Sequence, residues 1–270
     1  MAYVIDSDRL LRTGIAAAYK GAGVLRALRG RLTRIREKGR ADLVTEADTE
    51  SEAAIIDRIR QAFPDHGFLA EESGAVGGDG GYCWIVDPLD GTMNFAHGLD
   101  LYCISIAVAF NRELLAGVVL NPVSGELFTA SKGRGAHLNA DPIRVSETDA
   151  LEKSLLVTGF PYNFREIGGA VMTRFARCAN AARGVRRLGA AALDLCFLAC
   201  GRFEAFWEQN LQPWDTAAGS LIAREAGARL SDFSDAPFVI EKKELLATNG
   251  KIHRQMIDLL ALEIDASQTE

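Results

Sequence analysis

The sequence predicts a mixed fold, an α+β amino-terminal half followed by an α/β carboxy-terminal half, and three observations carry that reading. Two amphipathic helical stripes open the chain and give way to strand-like segments that end near residue 138. The texture changes over residues 141–150, and beyond residue 154 strands alternate with helices. The chain therefore divides into residues 1–145 and 146–270, halves expected to pack as one unit around a shared cleft.

Asp6 or Ser7 caps a first helix whose apolar stripe runs through Leu10, Leu11, Ile15, Ala18, Ala22, Leu25 and Leu28, and Gly30 ends it. A basic segment over residues 31–40 leads to Thr45 and Asp48, a capping-box pattern. The helix it opens carries Ile55, Ile56, Ile59 and Phe63 and stops at Pro64. Residues 67–70 read as a short strand running into Glu71 and Glu72. A glycine-rich surface loop over residues 74–81 separates it from a buried strand at residues 82–86. Apolar segments at 104–110, 114–120, 126–130 and 136–138, divided by turn-forming residues, predict an antiparallel meander.

In the second half, strands are expected at residues 154–158, 203–207 and 245–248, with helices near 167–182 and over 190–199. Pro213 opens a further helix that Gly227 closes. Asn249 caps the last one, which carries Ile252, Met256, Ile257 and Leu260.

An apolar fraction of 48% and a charged fraction of 24% are those of an ordinary globular chain. A net charge of −6 argues against nucleic acid as the primary partner and leaves a small molecule as the expected one. The start of the chain lacks the pattern of a secretory signal, and no apolar run suggests a membrane span. The five cysteines sit mostly in apolar runs without a CxxC pair, so they read as reduced core thiols of a cytoplasmic protein.

The chemistry concentrates in Asp87-Pro88-Leu89-Asp90-Gly91-Thr92, directly after the apolar strand. Pro88 fixes its own φ and Gly91 allows geometry closed to other residues, so the strand is expected to end in a rigid turn. That turn presents two carboxylates and a hydroxyl. Glu71, Glu72, Asp215 and Asp48 recur in similar settings, at strand ends or helix starts. Taken singly, Asp48 and Asp215 read as helix caps. Together the acids need a multivalent cation, because buried carboxylates without one are costly. The four histidines are scattered, so an oxygen-ligated ion such as Mg²⁺ is favoured over Zn²⁺. Backbone amides at Gly91 and Thr92 suit a phosphate, and the Thr92 hydroxyl suits an attacking water.

On these residues the chain resembles the inositol monophosphatase family of Mg²⁺-dependent, lithium-sensitive phosphatases. The matching stretches are Asp42-Leu43-Val44-Thr45-Glu46-Ala47-Asp48, Glu71-Glu72-Ser73-Gly74 and the run from Trp84 to Phe95. Gly159-Phe160-Pro161-Tyr162, Leu188-Gly189-Ala190-Ala191-Ala192-Leu193-Asp194 and Trp214-Asp215-Thr216-Ala217-Ala218-Gly219 complete the set. The resemblance implies a layered αβαβα sandwich, commonly a homodimer. It implies hydrolysis of a phosphate monoester, inositol 1-phosphate first, by in-line attack of a metal-activated water. Fructose-1,6-bisphosphatase, histidinol phosphatase and 3′-phosphoadenosine-5′-phosphate phosphatase are alternatives within that chemistry. A non-catalytic regulatory partner of the transcription machinery is the alternative outside it.

Carried over by position, the resemblance implies two to three Mg²⁺ ions. Glu71, Asp87 and the Leu89 carbonyl would hold the first, and Asp87, Asp90 and Asp215 the second, with a weaker third at Glu71 and, through water, Asp48. Glu71 with Thr92 would activate the water, supported by Asp48 and Thr45. Asp90, Gly91, Thr92, Ala191 and Glu208 would bind substrate, with Lys38 and Glu72 accessory. Residue 190 is Ala where animal members commonly carry a hydroxyl.

Overall fold

Successive residues of an apolar strand face opposite sides of a sheet, so a strand that is apolar throughout needs cover on both faces. The computed structural model describes residues 6–39, 42–78 and 81–262. The first half contains α1 (Ser7–Leu28), β1 (Ile35–Gly39), β2 (Asp42–Thr45), α2 (Glu46–Ala62), β3 (Gly67–Ala70), β4 (Gly74–Val76), β5 (Tyr82–Asp90), α3 (Thr92–Ala96), β6 (Cys103–Phe110), β7 (Glu113–Leu120), β8 (Leu127–Ser131), β9 (Ala136–Leu138) and β10 (Asp141–Ile143). The second contains β11 (Leu155–Thr158), α4 (Phe164–Ala181), β12 (Gly184–Arg186), α5 (Ala191–Ala199), β13 (Ala205–Gln209), α6 (Pro213–Glu225), β14 (Arg229–Ser231), β15 (Glu244–Thr248) and α7 (His253–Leu260).

One sheet has the order β10-β9-β8-β7-β6-β5-β3-β4 and is antiparallel except where β3 runs parallel to β5. The other has the order β12-β11-β13-β15-β14, with β11 parallel to both its neighbours. Trp84, Val86, Ile104, Ile106, Val118 and Leu120 share a core with α1 and α2. Their neighbours Ile85, Cys103, Ala107 and Val119 join a second core with α5, α6 and Val157, Phe206, Leu245 and Ala247 of the smaller sheet. Leu156, Ala205, Trp207 and Leu246 point the other way, onto Cys178 of α4 and Met256, Ile257 and Leu260 of α7. The layers are therefore α1/α2, large sheet, α5/α6, small sheet, α4/α7. This is the αβαβα sandwich that the resemblance implied.

The close approach of α5 and α6 depends on Gly219, where an added Cβ would lie 2.8 Å from both Leu195 Cβ and Leu195 Cδ1. Backbone-proximal atoms cannot swing aside, so Gly219→Ala is expected to destabilise the protein by roughly 1–2 kcal/mol despite alanine's better helix propensity. A lower urea midpoint at unchanged slope is the measurement that checks it.

The predicted Thr45/Asp48 capping box is present at the start of α2. Other expectations are corrected. The β1–β2 hairpin lies in a stretch that reads only as basic, and β4 occupies the first residues of the expected glycine-rich loop. Asn249 accepts from the amides of Lys251 and Ile252 in a turn ahead of α7, whose N-cap is Ile252. The short edge strands β10, β12 and β14 also escape sequence reading, because three residues leave no period to detect.

Candidate active site

The strand expected to stop at Val86 instead continues to Asp90 through an irregularity. Asp87 pairs with Ser105 and Asp90 with Cys103, so β5 carries one residue more than β6 between the two pairs. The extra residue falls at Pro88 and Leu89. The Pro88 carbonyl accepts from the buried Ser51 hydroxyl at 3.0 Å, and the Leu89 amide donates to Asp87 Oδ1 at 3.0 Å. Gly91 then turns the chain with φ of 94°. A Cβ there would also lie 2.9 Å from the Leu101 carbonyl, so glycine is required on two counts. α3 starts immediately at Thr92.

Asp87 is the buried centre of the acids, 2% exposed. Burial raises its pKa well above the ordinary carboxylate range, and the carboxylates of Glu71, Asp90 and Asp215 raise it further. Burial also lifts Asp90, to about 6, against opposing hydrogen bonds from Ala192, Cys103 and Ala191. Asp90 Oδ1 accepts from the Ala191 amide at 3.2 Å and Oδ2 from the Ala192 amide at 2.7 Å, so this carboxylate sits on the N-terminus of α5. Asp215, in the first turn of α6, accepts at Oδ2 from the Gln212 amide at 2.7 Å. The helix-cap reading of Asp48 and Asp215 is thus correct, and Asp215 is also one of the charged neighbours of Asp87.

Asp48 is buried, and its Oδ2 accepts from both the amide and the hydroxyl of Thr45 at 2.7 Å. Its Oδ1 lies 2.8 Å from Thr92 Oγ1, which also lies 3.0 Å from the Leu89 carbonyl. One hydroxyl proton serves one of these acceptors, and a Thr92 lone pair remains for an incoming donor. Glu71 follows β3 and is tied to β5 by its amide on the Val86 carbonyl at 3.1 Å. The Glu72 and Ser73 amides both donate to the carboxylate of Glu52, at 2.8 and 2.9 Å. Lys38 lies on β1, and its side chain is outside the described residues.

A cleft of about 580 Å³ opens beside these groups. Asp90, Gly91, Thr92, Ala191, Glu208 and Asp215 line it, so both halves of the sequence contribute. Thr45, Asp48, Glu71, Glu72, Asp87 and Leu89 are not in its lining. Glu208 lies flat on Gly159, whose added Cβ would come within 2.1 Å of Glu208 Oε2. Burial, with the charges of Asp215 and Asp90, pushes the Glu208 carboxyl up to about 8, and Arg187 opposes this.

Among the described residues, no three His, Cys, Asp or Glu side chains are gathered into a closed ion-holding group. Glu71, Asp90 and Asp215 nonetheless lie close enough to Asp87 for each of their charges to raise its pKa. Backbone amides orient Asp87, Asp90 and Asp215 individually. The donor chemistry still suits Mg²⁺, which keeps several waters and takes only one or two carboxylates together with substrate phosphate. The mutual repulsion focused on buried Asp87 is what such a cation relieves.

Sequence reasoning missed three residues. Glu52 is a buried acid on the apolar face of α2, and that misplacement is its only signal. Asn94 donates to the Leu101 and Leu188 carbonyls at 2.6 and 2.8 Å and so ties α3 to the segment before α5. Asp194 stood inside a recognised motif without a role, although it lines the cleft.

The profile of the inositol monophosphatase family matches residues 6–267. The chain belongs to this family. An inositol-1-monophosphatase from Synechocystis sp. is 45% identical over 258 residues, covering 95% of this chain and 90% of that one. A Nus factor SuhB from Pseudomonas aeruginosa is 42% identical, covering 83% of this chain and 84% of the relative. Among solved structures, the extragenic suppressor protein SuhB of Bartonella henselae superposes with a TM-score of 0.90 at 38% identity, over 94% of this chain and 99% of that one. The inositol monophosphatase of Anabaena gives 0.85 at 40% identity, over 93% and 94%. Family membership supports phosphatase activity on a small molecule. No helix among the described residues is long and apolar enough to cross a membrane.

Proposed function

We propose that this chain is a Mg²⁺-dependent phosphate monoester hydrolase whose preferred substrate is inositol 1-phosphate, cleaved to inositol and phosphate by in-line attack of water. The observation that carries the reading is Asp87, a buried carboxyl on a stiff bulge whose strongest charged neighbours are the carboxylates Glu71, Asp90 and Asp215. These four groups and the Leu89 carbonyl would hold two to three Mg²⁺ ions. When bound, Mg²⁺ neutralises phosphate charge, acidifies water and stabilises the departing alkoxide.

The remaining work falls to the chain itself. The Gly91 and Thr92 amides bind phosphoryl oxygens. The Thr92 hydroxyl donates to Asp48 and accepts a hydrogen bond from the attacking water, whose proton passes to Glu71 as general base. Thr45 holds Asp48 in its acceptor orientation through two contacts. Glu72 anchors the turn after Glu71 through its amide on Glu52, and Lys38 is an accessory cation. Glu208 and the Ala191 segment meet the leaving alcohol. A cytoplasmic homodimer belongs to the same reading, and the five free cysteines agree with a reducing compartment.

Phosphate release from inositol 1-phosphate, fructose 1,6-bisphosphate, histidinol phosphate and 3′-phosphoadenosine-5′-phosphate, each with and without Mg²⁺, tests the proposal. The highest kcat/KM is expected for inositol 1-phosphate with Mg²⁺. Metal-independent turnover, or none on any monoester, would sink it. The likeness to proteins named as Nus factors supports a second reading, a regulatory partner of the transcription machinery. Absence of turnover together with a preserved fold would favour that one.

Gly159→Ala offers a sharper check of the leaving-group end. The added methyl meets the flexible tip of Glu208, so the carboxylate moves while the fold survives. KM for inositol 1-phosphate is expected to rise roughly tenfold, with little change in the Mg²⁺ dependence.

A further inference from the structure

We infer that Glu52 is a positioning residue that fixes, through the backbone, the direction in which Glu71 presents its carboxylate. The inference rests on the phosphatase reading above and adds to it a residue that acts through another. Residues 71–73 form the three-residue loop between β3 and β4, since Ala70 pairs with Gly74. Glu71 donates its amide to the Val86 carbonyl at 3.1 Å, which holds the peptide plane before its Cα. The Glu72 amide donates to Glu52 Oε2 at 2.8 Å, which holds the plane after it. A peptide unit is planar, so pinning both flanking planes fixes φ and ψ of Glu71, and with them its Cα–Cβ direction. The Ser73 amide, on Glu52 Oε1 at 2.9 Å, holds the loop from its far side.

Glu52 is 4% exposed, and burying a carboxylate is costly unless its lone pairs are met. Only a carboxylate offers two acceptor oxygens and no donor, which is what two amides of one loop require. A surface loop can leave such amides to water, so closing the chain between β3 and β4 does not by itself demand a buried charge. Holding the loop in one conformation does. The same face of α2 grips the rest of the site. Asp48, Ser51 and Glu52 are spaced i, i+3 and i+4 and share one side of the helix. Asp48 meets the Thr92 hydroxyl, Ser51 the Pro88 carbonyl, and Glu52 the loop after Glu71. One helix, packed into the core by Ile55 and Ile59, therefore sets Thr92, the bulge after Asp87 and the backbone of Glu71 relative to one another.

The test is Glu52→Gln, which keeps side-chain length but turns one acceptor into an NH₂ group that faces a backbone amide. In metal-free protein the Glu72 and Ser73 amides are expected to exchange with deuterium roughly tenfold faster or more, while those inside β5 keep their protection. Mg²⁺ affinity by calorimetry and kcat for inositol 1-phosphate should each fall roughly 10- to 100-fold, with KM for the substrate changed less than about threefold. The deciding arm repeats the substitution in a Glu71→Ala background. There Glu52→Gln is expected to lower Mg²⁺ affinity and residual turnover by less than about threefold, because the group it positions is already gone. Equal losses in both backgrounds would mark a merely structural role and overturn the inference. Unchanged amide exchange would overturn it too, as would faster exchange with Mg²⁺ affinity and kcat unaltered. If Glu52→Gln does not fold, Glu52→Asp keeps the charge and both acceptors on a shorter arm, and the same cycle is read on it. If the wild type hydrolyses no monoester, the phosphatase reading fails, and the Mg²⁺ arm of the cycle still decides whether Glu52 acts through Glu71.

Discussion

Asp87→Asn is expected to lower Mg²⁺-dependent phosphate release by roughly three orders of magnitude or more without lowering the thermal midpoint of the metal-free protein. The activity loss follows from the place of Asp87 among Glu71, Asp90 and Asp215. An amide there removes one charge that both of the main proposed ion positions share, and several kcal/mol of transition-state charge stabilisation go with it. The stability result separates this from damage to the core. Asn has nearly the same volume, retains the acceptor for the Leu89 amide, and relieves repulsion among buried carboxylates. Steady-state kinetics across a Mg²⁺ titration and calorimetric unfolding in chelator make the measurements. Full turnover in the variant would contradict the proposed role, and a large drop in midpoint would reassign Asp87 to the fold.

Metal-free protein is expected to lose stability as pH rises from about 6.5, above the range in which buried His66 and His253 oppose the trend, to about 8, and saturating Mg²⁺ should recover most of it. Glu208 and Asp90 have folded-state pKa values of about 8 and about 6, above the values for unfolded carboxyls. Asp87 and Asp194 are raised as well, principally by burial. Between the unfolded and folded values the native state binds more protons than the unfolded state, so each rise in pH favours unfolding. Asp232 shifts the opposite way, to about 2, through hydrogen bonds from Lys242, Ser234 and Ala236 that outweigh its desolvation. Its stabilisation is lost only below about pH 4, outside the window. Urea midpoints at several pH values, with chelator or Mg²⁺, test this. A chelated protein whose stability rises with pH would show that these carboxyls are not strained by one another.

Much of the site was legible because its signals are local. Asp-Pro-x-Asp-Gly-Thr announces hard oxygen ligands and a turn, and Thr45 with Asp48 announces a capping box, whatever the rest of the chain does. What those patterns omit is the continuation of β5 to Asp90, since a bulge depends on the strand opposite. The edge strands were lost because three residues leave no period to detect. Glu52 and Asp194 were invisible because burial and the lack of a donor are properties of the surroundings, not of the residue type.

The sequence by itself determined the fold class, the buried strands and the acid-rich turn at 87–92, because apolar periodicity, proline, glycine and carboxylate chemistry act over a few residues. Only the tertiary structure decided how that turn meets the second half of the chain. α5 and α6 fill the layer between the sheets, the N-terminal amides of α5 take hold of Asp90, and Glu208 and Asp194 are left on one cleft wall. That arrangement follows from long-range packing of two sheets onto one helical layer, which no local pattern encodes.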